Sequence, residues 1–175
     1  MPRRSFDTWV YHVYNRWFDK MNIFKNKSDF QRFYEIFLFN LELEVFSELK
    51  VISYSFLPNH FHLIIFNPGV ELSLLMWRLQ NAYAKYFNLK YERKWPLFEW
   101  RFRAKLIDDD QYLYQAISYV NLNAKKHKIV QDIKDYPWTS YHQIMNGTWW
   151  DYLSTGLQIE SLQKFADIEI QDFEY

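Results

Sequence analysis

Two short apolar runs, VISYSFL at Val51–Leu57 and FHLIIF at Phe61–Phe66, stand on either side of Pro58-Asn59. Both are rich in β-branched and aromatic residues, which fit a pleated, half-buried surface. The proline removes a backbone donor and would interrupt a continuous strand, while Pro-Asn is a turn dipeptide. The segment therefore predicts a hairpin.

The rest of the chain supplies partners for that hairpin. Thr8–Asn15 (TWVYHVYN) reads as an earlier strand. Ser28, with Gln31 three residues on, reads as the cap of a helix whose stripe is Phe30, Phe33, Tyr34, Phe37, Leu38, Leu41 and Val45, running to about Glu48. Pro68-Gly69 breaks the chain, and Leu72, Leu75, Leu79, Tyr83, Tyr86 and Phe87 trace a second helix. After the basic loop Lys90–Lys94, Phe98–Ile107 reads as a fourth strand with Arg101, Arg103 and Lys105 on one face. Asp108–Asp110 then offers capping carboxylates to a third helix with a buried face of Leu113, Ala116, Ile117 and Val120. From Tyr136 the chain is turn-rich and aromatic, with a short acidic helix near Ile159–Ala166.

Strand, helix, strand, strand, helix, strand predicts an α+β fold, a ferredoxin-like (RRM-like) antiparallel four-stranded sheet with two helices on one face. The third helix must lie elsewhere. With 175 residues a single domain is expected, residues 1–135 forming its body and 136–175 an extension packed on it. The absence of cysteine excludes a disulfide scaffold, thiolate metal sites and a thiol nucleophile. No uncharged apolar run reaches the ~18 residues a membrane helix needs, which gives the expectation of a soluble, cytoplasmic protein without membrane contact.

The net charge is zero, but it is segregated. Residues 1–77 hold eight basic and eight acidic groups, 78–134 hold twelve and six, and 135–175 hold one and seven. Such a basic middle can make a face for a polyanion, or a solvated surface with an acidic tail over it.

Within the hairpin, His60 and His62 are two residues apart and share a strand face, while Phe61 points to the opposite side. They can converge on one ion, or stand as two half-exposed side chains. On the third helix, Tyr112, Gln115, Tyr119 and Asn123 form a polar stripe beside the apolar one. Tyr119 and Asn123, one turn apart, can reach one site with a hydroxyl and an amide oxygen, or pack at a core boundary. Arg101, Arg103, Lys105, Lys125, Lys126 and Lys128 flank these groups in sequence as candidate phosphate contacts, and Tyr83, Tyr86, Trp95, Trp100 and Tyr112 are candidate stacking faces.

Four segments in this order, PNHFHLII, WPLFEWRFRAKLIDDDQYL, SYVNLNAKKHKIV and DYPWTSY, resemble the single-tyrosine HUH transposases (IS200-like), and their REP-associated tyrosine transposase branch most. The likeness covers roughly residues 8–143. It implies a HUH catalytic domain over 1–135, with His60 and His62 as metal ligands, Tyr119 as the nucleophile and Asn123 as the third ligand. Ala124 stands where many relatives have a proline. It further implies Mg²⁺ or Mn²⁺, although imidazoles by softness favour Zn²⁺. Single-stranded DNA with a hairpin is the implied partner, with cleavage and rejoining through a 5′-phosphotyrosine. A catalytically inactive DNA-binding protein of the same fold, an RNA-binding module and a water-using metallohydrolase are the competing readings. Monomer or homodimer is left open.

Overall fold

The Pro58-Asn59 turn joins two strands of a four-stranded sheet in a computed structural model that describes residues 8–16, 21–98 and 101–148. In chain order the elements are β1 (Thr8–Arg16), α1 (Lys27–Leu41), β2 (Lys50–Leu57), β3 (His60–Pro68), α2 (Leu72–Lys90), β4 (Arg103–Ile107), α3 (Asp110–Lys126) and the short α4 (Tyr141–Met145). The sheet order is β2-β3-β1-β4, every neighbouring pair antiparallel. Two interleaved βαβ units produce this order, because each crossover leaves room for one strand of the other. The predicted ferredoxin-like α+β arrangement is the observed one. The expected helix near Ile159–Ala166 and Trp100 lie outside the described residues.

Side-chain alternation along β3 decides which layer lies where. Phe61 packs on Phe33 of α1 with ring centroids 5.2 Å apart, and Tyr83 of α2 meets Phe33 at 5.0 Å. His62, pointing the other way, meets Tyr119 of α3 at 5.6 Å. Helices α1 and α2 therefore cover one face of the sheet and α3 the other. The first layer encloses an aromatic core of Phe24, Phe33, Phe37, Phe56, Phe61 and Tyr83, all buried. Tyr83, read from sequence as a stacking candidate, belongs to this core and donates its hydroxyl to the Ile23 carbonyl.

Two helix boundaries and one strand boundary differ from the sequence reading. Asn26 caps α1 in place of Ser28, and the Asp29 carboxylate accepts the backbone N–H groups of Lys25 and Asn26 at 2.8 and 3.1 Å. The same carboxylate is buried against Lys90 of α2 at 2.6 Å, so the cap also ties the two helices together. At its other end α1 stops at Leu41, short of Glu48. Leu43 is extended, and a 3₁₀ turn at Glu44–Phe46 rotates Phe46 into the core and leaves Val45 exposed. Strand β4 is confined to Arg103–Ile107 because its ladder with β1 spans only Val10 to Tyr14. Arg101 precedes the strand.

Helix α3 is held from two sides. Asp109 caps it by accepting the Tyr112 N–H at 2.7 Å, and its last turn closes on Lys128 in the left-handed region, with Ile129 N–H reaching the Ala124 carbonyl at 2.9 Å. Ala124 is buried within the last turn. Asn121 binds the following chain: its amide oxygen accepts from Ser140 Oγ at 2.8 Å and Thr139 Oγ1 at 3.1 Å. Thr139 bridges Ser55 at the open edge of β2, Phe56 N–H reaches the Trp138 carbonyl at 2.8 Å, and Tyr136 donates to the Phe56 carbonyl at 2.6 Å. Residues 136–140 thus clamp α3 onto the sheet. Asn121→Ala leaves buried hydroxyls short of an acceptor, a loss expected to cost about 1–3 kcal/mol. Urea unfolding of this variant checks it, and an unchanged midpoint would show that the clamp does not depend on Asn121.

Candidate active site

On β3, His60 and His62 lie edge-on with ring centroids 4.9 Å apart, on the face turned toward α3. Residues paired directly across strands share a face, so Tyr14 of β1 and Ser55 of β2, both opposite His62, join them. The Tyr119 ring stands edge-on to His62. Asn123 follows one turn later and is fully buried. The structure thus brings His60, His62 and Tyr119 together, with Asn123 beside Tyr119.

A fifth residue at this place went unnoticed in the sequence. His12, buried at the centre of β1, has Nε2 2.9 Å from Nδ1 of His62, and its ring stacks on those of Tyr14 and His62 at 5.1 and 5.0 Å. Tyr119 lies edge-on to it at 6.5 Å. The signal that finds it is parity: Tyr11 and Val13 face the core beneath α1 and α2, so His12 must face the other way. His127, at the end of α3, also escaped notice; its ring meets His60 edge-on at 5.5 Å.

Burial sets the protonation of the pocket. It pushes His62 well below the ordinary imidazole value, and His12, His60 and His127 push in the same direction. His12 is pushed down to about 3, by burial first and the Lys105 charge second. Both rings are therefore neutral near pH 7, each with one nitrogen lone pair. Burial raises the Tyr119 phenol above its ordinary value, the Asn123 amide draws it back in part, and Tyr14 adds to the rise.

Two groups have donor atoms to spare. Nε2 of His62 and both amide atoms of Asn123 are buried with no hydrogen-bond partner among the described residues. Among those residues no three His, Cys, Asp or Glu side chains converge as a metal cluster. A divalent ion here must draw on the amide as well as on the imidazoles. Two imidazoles and an amide oxygen are neutral donors that leave positions for water or a phosphate oxygen, and the bare buried atoms fit that role.

Cations surround this centre. Arg103 and Lys105 pair across the ladder with Tyr14 and His12, which puts both on the site face, exposed. Lys105 Nζ lies 4.9 Å from the Tyr112 ring centre, and Lys126 Nζ lies 5.2 Å from that of Tyr119. Lys125 is exposed beside it at the end of α3, and Arg101 is exposed before β4. Among the stacking candidates Trp95 is exposed, Tyr86 is partly buried with its hydroxyl on Asp29, and Tyr112 is partly buried beneath Lys105. No helix among the described residues is long and apolar enough to cross a membrane.

No protein-family model matches the chain. A curated relative from Haemophilus influenzae, named "Putative REP-associated tyrosine transposase", is 27% identical over 105 residues, covering 54% of this chain. The chain spans 60% of that relative's length. A solved structure of a REP-associated tyrosine transposase bound to a REP hairpin matches with a TM-score of 0.66 at 15% identity, over 83% of this chain and 84% of that one, a likeness of fold. The relative supports the family that the sequence motifs resemble, and the solved structure supports the fold.

The depressed histidines make stability depend on pH. An imidazole whose folded pKa lies below its unfolded value binds fewer protons when folded, so stability is complete above about pH 6.5 and is lost as pH falls toward the folded value. Urea midpoints measured between about pH 7 and pH 4 should therefore decline, and decline less steeply in His12→Gln. An equal slope in the two proteins would show that His12 is not held neutral by the fold.

Proposed function

We propose that this chain is a divalent-metal-dependent enzyme of the REP-associated tyrosine transposase type that cuts and rejoins single-stranded DNA beside a hairpin. The observation that carries this reading is the meeting of His62 and Tyr119 from opposite elements, with the buried Asn123 amide one helical turn away. Fold and family likeness agree with it, and hairpin DNA is the ligand of the structural neighbour.

Each residue has a distinct task. His60, His62 and Asn123 would hold Mg²⁺ or Mn²⁺, which when bound polarises a phosphodiester and offsets its charge. The Tyr119 oxygen attacks phosphorus; the Tyr–O–P bond forms, the bond from phosphorus to the 3′ oxygen breaks, the phenol proton leaves and the 3′ oxygen gains one. The product is a 5′-phosphotyrosine and a free 3′-OH. Because the ester bond is conserved, a 3′-OH can reverse the step without another energy source. The raised phenol pKa means that Tyr119 is a weak nucleophile until a charge-neutralising partner lowers its cost of ionising. Lys126 Nζ lies over the Tyr119 ring, a cation–π contact at the rim of the site. A cytoplasmic location, with access to DNA, goes with this reading.

Covalent capture tests the chemistry. Labelled hairpin DNA with a single-stranded extension, incubated with Mn²⁺ and denatured, should carry a protein adduct that maps to the Tyr119 peptide. Tyr119→Phe should retain DNA binding and lose the adduct. Cleavage without an adduct would favour a water nucleophile, and binding without cleavage by the intact protein would favour an inactive DNA-binding protein.

The track of the strand is tested by salt. Each phosphate contact on single-stranded DNA contributes about −0.7 to the slope of log affinity against log salt. Arg103→Gln combined with Lys105→Gln should flatten that slope by about 1.4 if each cation meets one phosphate. Fluorescence anisotropy at several salt concentrations reads it, and an unaltered slope removes β4 from the interface.

A further inference from the structure

We infer that His12 is a positioning residue for His62: its Nε2 accepts the hydrogen on His62 Nδ1 and so keeps the lone pair of His62 on Nε2, free to take a metal ion. This inference rests on the reading of His62 as a metal ligand. It goes further by naming the group that makes His62 competent.

Only one hydrogen fits between two ring nitrogens 2.9 Å apart. Neutral rings leave two arrangements. If His12 donated, His62 would accept on Nδ1 and carry its hydrogen on Nε2, the atom that is buried with no partner. That would remove the lone pair a metal needs. If His62 donates, its Nε2 is bare and open to a cation while His12 carries its own hydrogen on Nδ1, so the arrangement is selected by the lone pair it leaves for a metal. Metal-ligating histidines generally donate their second ring N–H to a fixed acceptor, which sets both tautomer and ring orientation.

His12 is placed to be such a fixed acceptor. It sits on a central strand, buried, with its ring stacked against Tyr14 and His62 and bordered by Tyr119. Packing alone gives no reason for a polar ring there. Two imidazoles in a buried sheet face cost desolvation that a leucine would avoid. What the imidazole adds is an acceptor at a set distance from His62 Nδ1.

Imidazole ¹⁵N–¹H correlation spectra of the metal-free protein read the tautomers directly. The expected spectrum has the His62 hydrogen on Nδ1 in the intact protein. In His12→Leu it should move toward Nε2, the usual tautomer of a solvated imidazole, and Mn²⁺ affinity by calorimetry should fall about 10–100-fold. His12→Gln, which restores an acceptor oxygen, should recover part of the affinity and keeps the question answerable if the leucine variant does not fold. A His62 hydrogen on Nε2 in the intact protein overturns the proposal. So does unchanged Mn²⁺ affinity in a folded His12→Leu while His62→Ala abolishes binding, which leaves the metal reading standing. Mn²⁺ affinity insensitive to His62→Ala overturns the metal reading itself, and the proposal with it.

Discussion

Strand β3 is covered on both sides, and the two-residue period of its side chains sorts what each side receives. Phe61, Leu63 and Ile65 enter the layer beneath α1 and α2, where Phe33 and Phe56 enclose Phe61. His60 and His62 emerge toward α3. A shift of one residue in the pairing would exchange the two sets, placing imidazoles in the aromatic core and phenylalanine against the tyrosine. The same register sets the neighbours, bringing Tyr14 and Ser55 opposite His62 and Lys105 opposite His12. The geometry of the candidate site is thus a by-product of the packing that stabilises the fold.

That dependence explains what could be seen in the sequence. The strand and helix order, the shared face of His60 and His62 and the one-turn spacing of Tyr119 and Asn123 are local periodicities, so they were legible without a structure. His12 was not, because its relation to His62 spans fifty positions and exists only once β1 lies beside β3. The exposed cations of β4 were legible as a stripe, but the confinement of the strand to Arg103–Ile107 depends on how much of β1 is left to pair. Boundaries failed where a tertiary contact overrode a local signal. Ser28 lost the cap to Asn26, whose neighbour in the cap, Asp29, is held by Lys90 from another helix. Val45 continued the helical stripe on paper, yet Phe46 filled the core in its place.

The charge pattern of the site has two zones. Its interior is uncharged: His12 and His62 are kept neutral by burial, and Asn123 offers an amide where a carboxylate would have been possible. Its rim is cationic, with Arg103, Lys105, Lys125 and Lys126 exposed. On the proposed reading this division has a purpose. Neutral donors leave the full charge of a divalent ion to act on a phosphate, whereas carboxylate ligands would cancel part of it. The rim attracts a polyanion over longer range, where screening by salt is strong, and the interior acts only at contact.

The clamp formed by residues 136–140 has a bearing on when the site comes into being. His12, His62 and Tyr119 arrive from three widely separated parts of the chain, and the hydroxyls that fasten α3, on Thr139 and Ser140, come later still. During synthesis from the N-terminus the sheet can form before the tyrosine is fixed against it, since closing each long loop must precede the contacts that reward it. Tyr119 and the two histidines are therefore apart in a nascent or locally opened chain. Assembly of the candidate site is coupled to completion of the fold around α3, and on the proposed reading a DNA-cutting group would be in working order only once the clamp has closed.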